Sequence, residues 1–133
     1  FRSQLAAVLN ESALFAVREN KSFITNDFVD EAIDRVLMGP SKKNRKYIDI
    51  ERNIVAYHEA GHGLVSMLLL PKDKISKITI IPTTKGAGGY TLTIPEDNNY
   101  HRADYLRNKI KVLLAGRAAE EITFGKSKIS TGT

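Results

Sequence analysis

The sequence predicts an α+β fold, mainly helical: a helical hairpin, a linker, then a long helix, a small β-sheet and a further helix. Three observations carry the prediction. Long stretches of the 133 residues repeat apolar side chains at three- and four-residue steps. Two short runs rich in isoleucine and threonine alternate instead, and glycine or proline stands at most of the boundaries between these segments.

From Leu5 to Asn20, the residues Leu5, Val8, Leu9, Ala13, Leu14, Phe15 and Val17 form the stripe of an amphipathic helix. Ser22-Phe23-Ile24 leads to Thr25, placed as an N-cap, with Asp27 at the positive helix end. Phe28, Ala32, Ile33, Val36 and Leu37 continue a second stripe, and Gly39-Pro40 stops it. Residues 41 to 49 have no apolar period and read as a hinge. Lys42, Lys43, Arg45 and Lys46 there supply most of the net charge of +5. The cluster has no interleaved aromatic residues and no nucleic-acid fold signature, so it reads as solvated linker and no nucleic-acid partner is expected.

Ile50 to Leu70 is helical again, with Ile54, Val55, Val65, Leu68 and Leu69 on one side and Pro71 as terminator. Ile75 to Ile81 alternates as a strand ended by Pro82, and Gly89 to Ile94 as a second strand ended by Pro95. The connection between them contains Gly86 to Gly89 but lacks the Lys-Ser/Thr of a nucleotide loop, so it reads as a tight turn. The second strand is either a purely structural element or an edge along which an extended peptide lies. His101 to Glu121 returns to helical spacing through Leu106, Ile110, Leu113 and Leu114, with Gly125 just past its end. Lys126 to Thr133 reads as an element continuing beyond the sequence. The longest apolar run, Leu64 to Leu70, is interrupted by Ser66 and is short of the roughly 20 residues a bilayer requires, so no spanning helix is expected, nor any secretory signal.

The chemistry lies in His58-Glu59-Ala60-Gly61-His62. Two histidines four apart on a helix stack with Cβ atoms about 5 to 6 Å apart, close enough to share one ion. Without cysteine, any transition metal must be held by His, Asp or Glu. Zinc takes nitrogen ligands in near-tetrahedral geometry, so His58 and His62 fill two corners and leave room for a third protein ligand and a water. Glu59, rotated off the histidine line, is placed to take the water's proton as general base. Ala60 and Gly61 are small enough for a substrate or a neighbouring element to approach. Ile54, His58, Gly61, Val65 and Leu69 form one stripe flanked by Val55, His62 and Leu68, so the histidines lie on the face expected to be buried. Stacked imidazoles there need partners, and a shared metal supplies one. His101, alone at a helix start, reads as a solvated surface residue.

The run Ile54-Val55-Ala56-Tyr57-His58-Glu59-Ala60-Gly61-His62-Gly63-Leu64-Val65 resembles the peptidase helix of the FtsH family, membrane-anchored hexameric proteases that couple an AAA ATPase to a zinc peptidase. Asp27 to Gly39, Ile78 to Pro82, Gly89-Tyr90-Thr91 and Ala115-Gly116-Arg117-Ala118-Ala119-Glu120-Glu121 are similar to that family as well. The resemblance implies that residues 1–39 are the C-terminal part of an AAA lid, 40–50 a linker, and 51–133 the start of a zincin-like peptidase domain. It also implies polypeptide substrates, a homo-hexamer, and ATP with Mg2+ and membrane segments outside this chain. The catalytic domains would then face the cytoplasm or an organellar matrix.

Gly63, where alanine is commoner, Thr83-Thr84 in place of Arg-Gly, and Ser41 to Tyr47 depart from the family pattern. The family's third zinc ligand is an aspartate a few residues after Ser130-Thr131-Gly132, beyond Thr133. Two other readings stay open: a different HExxH hydrolase with Glu120 or Glu121 as third ligand, and a non-catalytic helical interaction module. In the FtsH-type reading those glutamates instead accept a histidine N–H or serve structurally.

Overall fold

In the computed structural model, residues 2–41, 48–84, 88–96 and 100–130 are described. The basic cluster at 42–46, Gly86 and Ala87 in the inter-strand connection, and Thr131 to Thr133 lie outside the described residues. The order is α1 (Arg2–Arg18), α2 (Asn26–Met38), α3 (Asp49–Leu69), β1 (Lys74–Thr79), β2 (Tyr90–Ile94) and α4 (Ala103–Phe124), with a 3-10 turn at Lys126–Lys128. The fold is α+β and mainly helical, and no described helix is long and apolar enough to cross a membrane. The chain divides into two compact units, one of residues 1–42 with 83–86, the other of 43–82 with 87–133.

In the first unit, α1 packs on α2. Thr25 caps α2 as its composition suggests, its hydroxyl accepting from the Phe28 N–H at 3.4 Å. The buried residues at this crossing are small: Ser12, Ala16 and Ala32. Leu5, Leu9, Leu14 and Val17, expected to carry the apolar stripe of α1, are instead exposed. Small side chains let two helix backbones approach closely, and Ser12 is tolerated because its hydroxyl donates to the Val8 carbonyl one turn back. Arg35 adds an ion pair to Glu11 at 3.1 Å and lies 5.7 Å from the Phe15 ring centroid.

In the second unit, α3 packs chiefly along α4, and the two-stranded antiparallel sheet lies against α3. Gly61 makes the helix crossing possible. A Cβ there would stand 2.6 Å from the Ala115 carbonyl oxygen and 2.7 Å from the Ala119 Cβ. The neighbouring element admitted by this small residue is therefore α4. Tyr57 meets Phe124 edge to face at 5.4 Å between centroids. Leu68, expected on the inward stripe of α3, is 70% exposed.

Asp73 ties this unit together just past α3. Its carboxylate, 1% exposed, accepts from the Glu96 N–H at 3.2 Å and the Tyr105 hydroxyl at 3.0 Å, with Lys109 Nζ at 3.7 Å. Burial first, then the hydrogen bond to Asp73 and the negative charges of Asp73 and Glu96, push the Tyr105 pKa above 10.0. A group with a raised folded pKa contributes stability that is complete below its unfolded pKa and is lost as pH rises through the folded one. Alkaline unfolding followed by circular dichroism should therefore steepen above about pH 10. Tyr105→Phe should flatten that limb; an unchanged alkaline profile would remove Tyr105 from the account.

Candidate metal centre

His58, Glu59 and His62 all lie in α3, where helical spacing brings the two imidazoles together with ring centroids 4.7 Å apart at 76°. What orients the rings is α4. His58 Nδ1 donates to Glu120 Oε1 at 2.5 Å, and His62 Nδ1 donates to the Val112 carbonyl at 2.7 Å. A carbonyl or carboxylate oxygen only accepts, so the proton of each ring sits on Nδ1, and in the neutral imidazole that a metal requires this tautomer presents a bare Nε2. Both Nε2 atoms lie over Gly116. A Cβ placed on that glycine would be 2.6 Å from His58 Nε2 and 2.6 Å from His62 Nε2. Two lone pairs thus converge on a space that exists because residue 116 has no side chain, an arrangement suited to one divalent cation.

Glu120 is the most deeply buried charged residue described, at 1% exposure. Its Oε2 accepts from the Ser130 N–H at 2.7 Å and its Oε1 from the Ser130 hydroxyl at 2.8 Å as well as from His58. Burial weighs most on this carboxylate and opposes its charge. The Ser130 N–H, the His58 ring, the Ser130 hydroxyl and the attraction of His58 nonetheless bring its pKa below the ordinary 4.5. Glu120 therefore stays an acceptor and holds the Nδ1 side of His58, the side away from the converging Nε2 atoms. Glu121 points elsewhere and meets Lys126 at 3.6 Å in an exposed pair. Among the described residues no group of three or more His, Cys, Asp or Glu side chains is arranged around one point.

Glu59 is buried at 6% exposure beside β2. Its Oε2 lies 2.8 Å from the Thr91 hydroxyl. His101 is exposed and stacks on Tyr105 at 4.6 Å, apart from this centre. Thr91, the Val112 carbonyl and Ser130 are members of the site that no local pattern in the sequence marks. Gly116 leaves one trace, the small residues Ala115, Gly116, Ala118 and Ala119 around Arg117, which on a helix signal close approach of another element.

The sequence profile of Peptidase family M41 matches residues 45–133. The chain is 47% identical over 131 residues to the ATP-dependent zinc metalloprotease FtsH 1 of Alkaliphilus metalliredigens, covering 98% of this chain and 22% of that protein. It is 52% identical over 132 residues to the ATP-dependent zinc metalloprotease FtsH of Mycoplasmoides gallisepticum, covering 98% and 17%. To the ATP-dependent zinc metalloprotease FtsH 2 of Phytoplasma mali it is 50% identical over 123 residues, covering 92% and 18%. The chain thus spans about a fifth of the length of these relatives.

Proposed function

The chain belongs to peptidase family M41, and on that premise we propose that it is part of an ATP-dependent zinc metalloendopeptidase of the FtsH type that degrades unfolded and membrane proteins. The observation that carries the reading is the convergence of His58 Nε2 and His62 Nε2 over Gly116, with both Nδ1 protons engaged by α4. In this reading residues 1–39 end an AAA lid, 40–50 link, and 51–133 begin a zincin-like peptidase domain. ATP and Mg2+, the hexamer contacts and the membrane anchor belong to other parts of the protein, with the catalytic domains on the cytoplasmic or matrix side.

His58 and His62 would hold the zinc through Nε2, and an aspartate beyond Thr133 would be the third ligand. When bound, zinc supplies a Lewis acid that makes water a competent nucleophile near neutral pH. Glu59 takes the proton of the attacking water at Oε1, since Thr91 occupies Oε2, and passes it to the departing amine. The ligand set with Glu120 or Glu121 is disfavoured by their engagements: Glu120 serves His58 Nδ1 and Ser130, and Glu121 serves Lys126. A non-catalytic module has no need of two imidazoles oriented with bare nitrogens facing one another.

The direct test is zinc content and peptide hydrolysis of the whole protein with His58 or His62 replaced by alanine. Loss of both properties is expected, and retention of zinc by either variant would defeat the reading. Glu120→Gln should weaken zinc binding about 10- to 100-fold, the usual cost of removing the partner that orients a metal-bound histidine. Glu121→Gln should leave affinity unchanged. Titration calorimetry compares them, and equal losses would mean that neither acts through His58. Residues 1–133 alone should bind zinc more weakly than a chain extended beyond Thr133, because two histidines leave two corners of the tetrahedron open; equal tight affinity would place the third ligand within this chain.

A further inference from the structure

We propose that Thr91 is a positioning residue for Glu59: its hydroxyl fixes the carboxylate in the orientation from which Oε1 takes the proton of water. The inference rests on the peptidase reading of the site. The Thr91 hydroxyl has one proton and two acceptors within reach, Glu59 Oε2 at 2.8 Å and the Glu59 main-chain carbonyl at 3.2 Å. The carboxylate is the nearer, and a hydrogen bond to a charged oxygen is the stronger, so the proton goes to Oε2. Glutamate has several side-chain torsions, and one directed bond at its tip is what selects a single orientation at the end of that lever.

The strand is built to make this contact. Gly89, just before β2, and Thr91 within it both address α3. A Cβ on Gly89 would stand 2.6 Å from the Thr79 carbonyl oxygen, 2.8 Å from Val55 Cγ1 and 3.2 Å from Glu59 Cγ. The missing side chain of Gly89 thus lets the chain entering β2 pass close to both Val55 and Glu59 of α3. Thr91 pairs with Ile78 of β1, so its backbone is held by the sheet. A β-branched residue at this point also has few rotamers, which leaves its hydroxyl directed at the carboxylate. Valine would keep that shape and the strand preference while deleting only the hydroxyl.

The experiment uses the whole protein with ATP, a fluorogenic peptide and an unfolded protein as substrates, and compares Thr91→Val, Thr91→Ser and Glu59→Gln. Thr91→Val should lower kcat about 10- to 100-fold, the scale of a misplaced reacting group, with KM, zinc content and unfolding temperature little changed. Thr91→Ser should restore kcat to within about threefold, since it returns the hydroxyl. A wild-type kcat in Thr91→Val, a serine variant as slow as the valine one, or loss of zinc together with activity would each overturn the proposal. Hydrolysis at the wild-type rate in Glu59→Gln overturns the role of Glu59 as general base and the role of Thr91 with it, whereas the peptidase reading itself falls if the His58→Ala or His62→Ala protein keeps its zinc. Hydrolysis lost in Glu59→Gln but untouched in Thr91→Val overturns the role of Thr91 alone.

Discussion

Gly116→Ala in the whole protein should abolish zinc binding while leaving the helices formed. The added methyl would be 2.6 Å from His58 Cδ2, His58 Nε2 and His62 Nε2, well inside van der Waals contact. The rings have little room to retreat, because their Nδ1 atoms are anchored to Glu120 and Val112 on the same helix that carries the methyl. Alanine gains about 1 kcal/mol of helix propensity over glycine, but overpacking of a close contact costs about 1 to 3 kcal/mol, so strain outweighs propensity. If the strain is relieved by turning the imidazoles, zinc affinity should fall by at least about 100-fold, the upper end for disturbing the groups that orient a ligand. Metal content after dialysis, read beside far-ultraviolet circular dichroism, measures both parts. A Gly116→Ala protein that keeps its zinc would show that the Nε2 atoms do not meet over this residue.

Glu59→Gln should retain zinc and lose about 10² to 10⁴ in kcat, the usual contribution of a general base. One residue of helix turns Glu59 by about 100° from His58, so its side chain leaves the line of the two imidazoles and runs to β2. Glutamine keeps the length and an oxygen for the Thr91 hydroxyl, so the variant removes proton acceptance with little change of shape. Loss of zinc with the substitution would mean that Glu59 is a ligand, and full activity would mean that another group takes the proton.

The contrast between these two predictions reflects what a sequence displays. The role proposed for Glu59 follows from its place one residue after His58, which is visible in the primary structure. The role of Gly116 is not, because the groups it accommodates are on another helix, and the run Ala115 to Ala119 signals close packing without saying against what. The helices themselves were legible for the same local reason: Thr25 caps α2, and Pro71 follows the end of α3. Burial was less legible. The apolar residues of α1 announced a helix, yet the face that packs is the one with Ser12 and Ala16, because backbone proximity there depends on Ala32 of α2.

By itself the sequence determined that His58, Glu59 and His62 share one helix, that the two imidazoles come together, and that this chain offers no thiolate to a metal. Each of these depends on spacing within a single turn or on composition. Only the tertiary structure decided which nitrogen each imidazole offers, that Glu120 and not Glu121 serves His58, and that Thr91 holds Glu59. Those contacts join residues 62, 50 and 32 positions apart, and a hydrogen bond is made or lost over a few tenths of an ångström. They depend on how closely α4 and β2 approach α3, and that distance is set by the absent side chains of Gly61, Gly89 and Gly116.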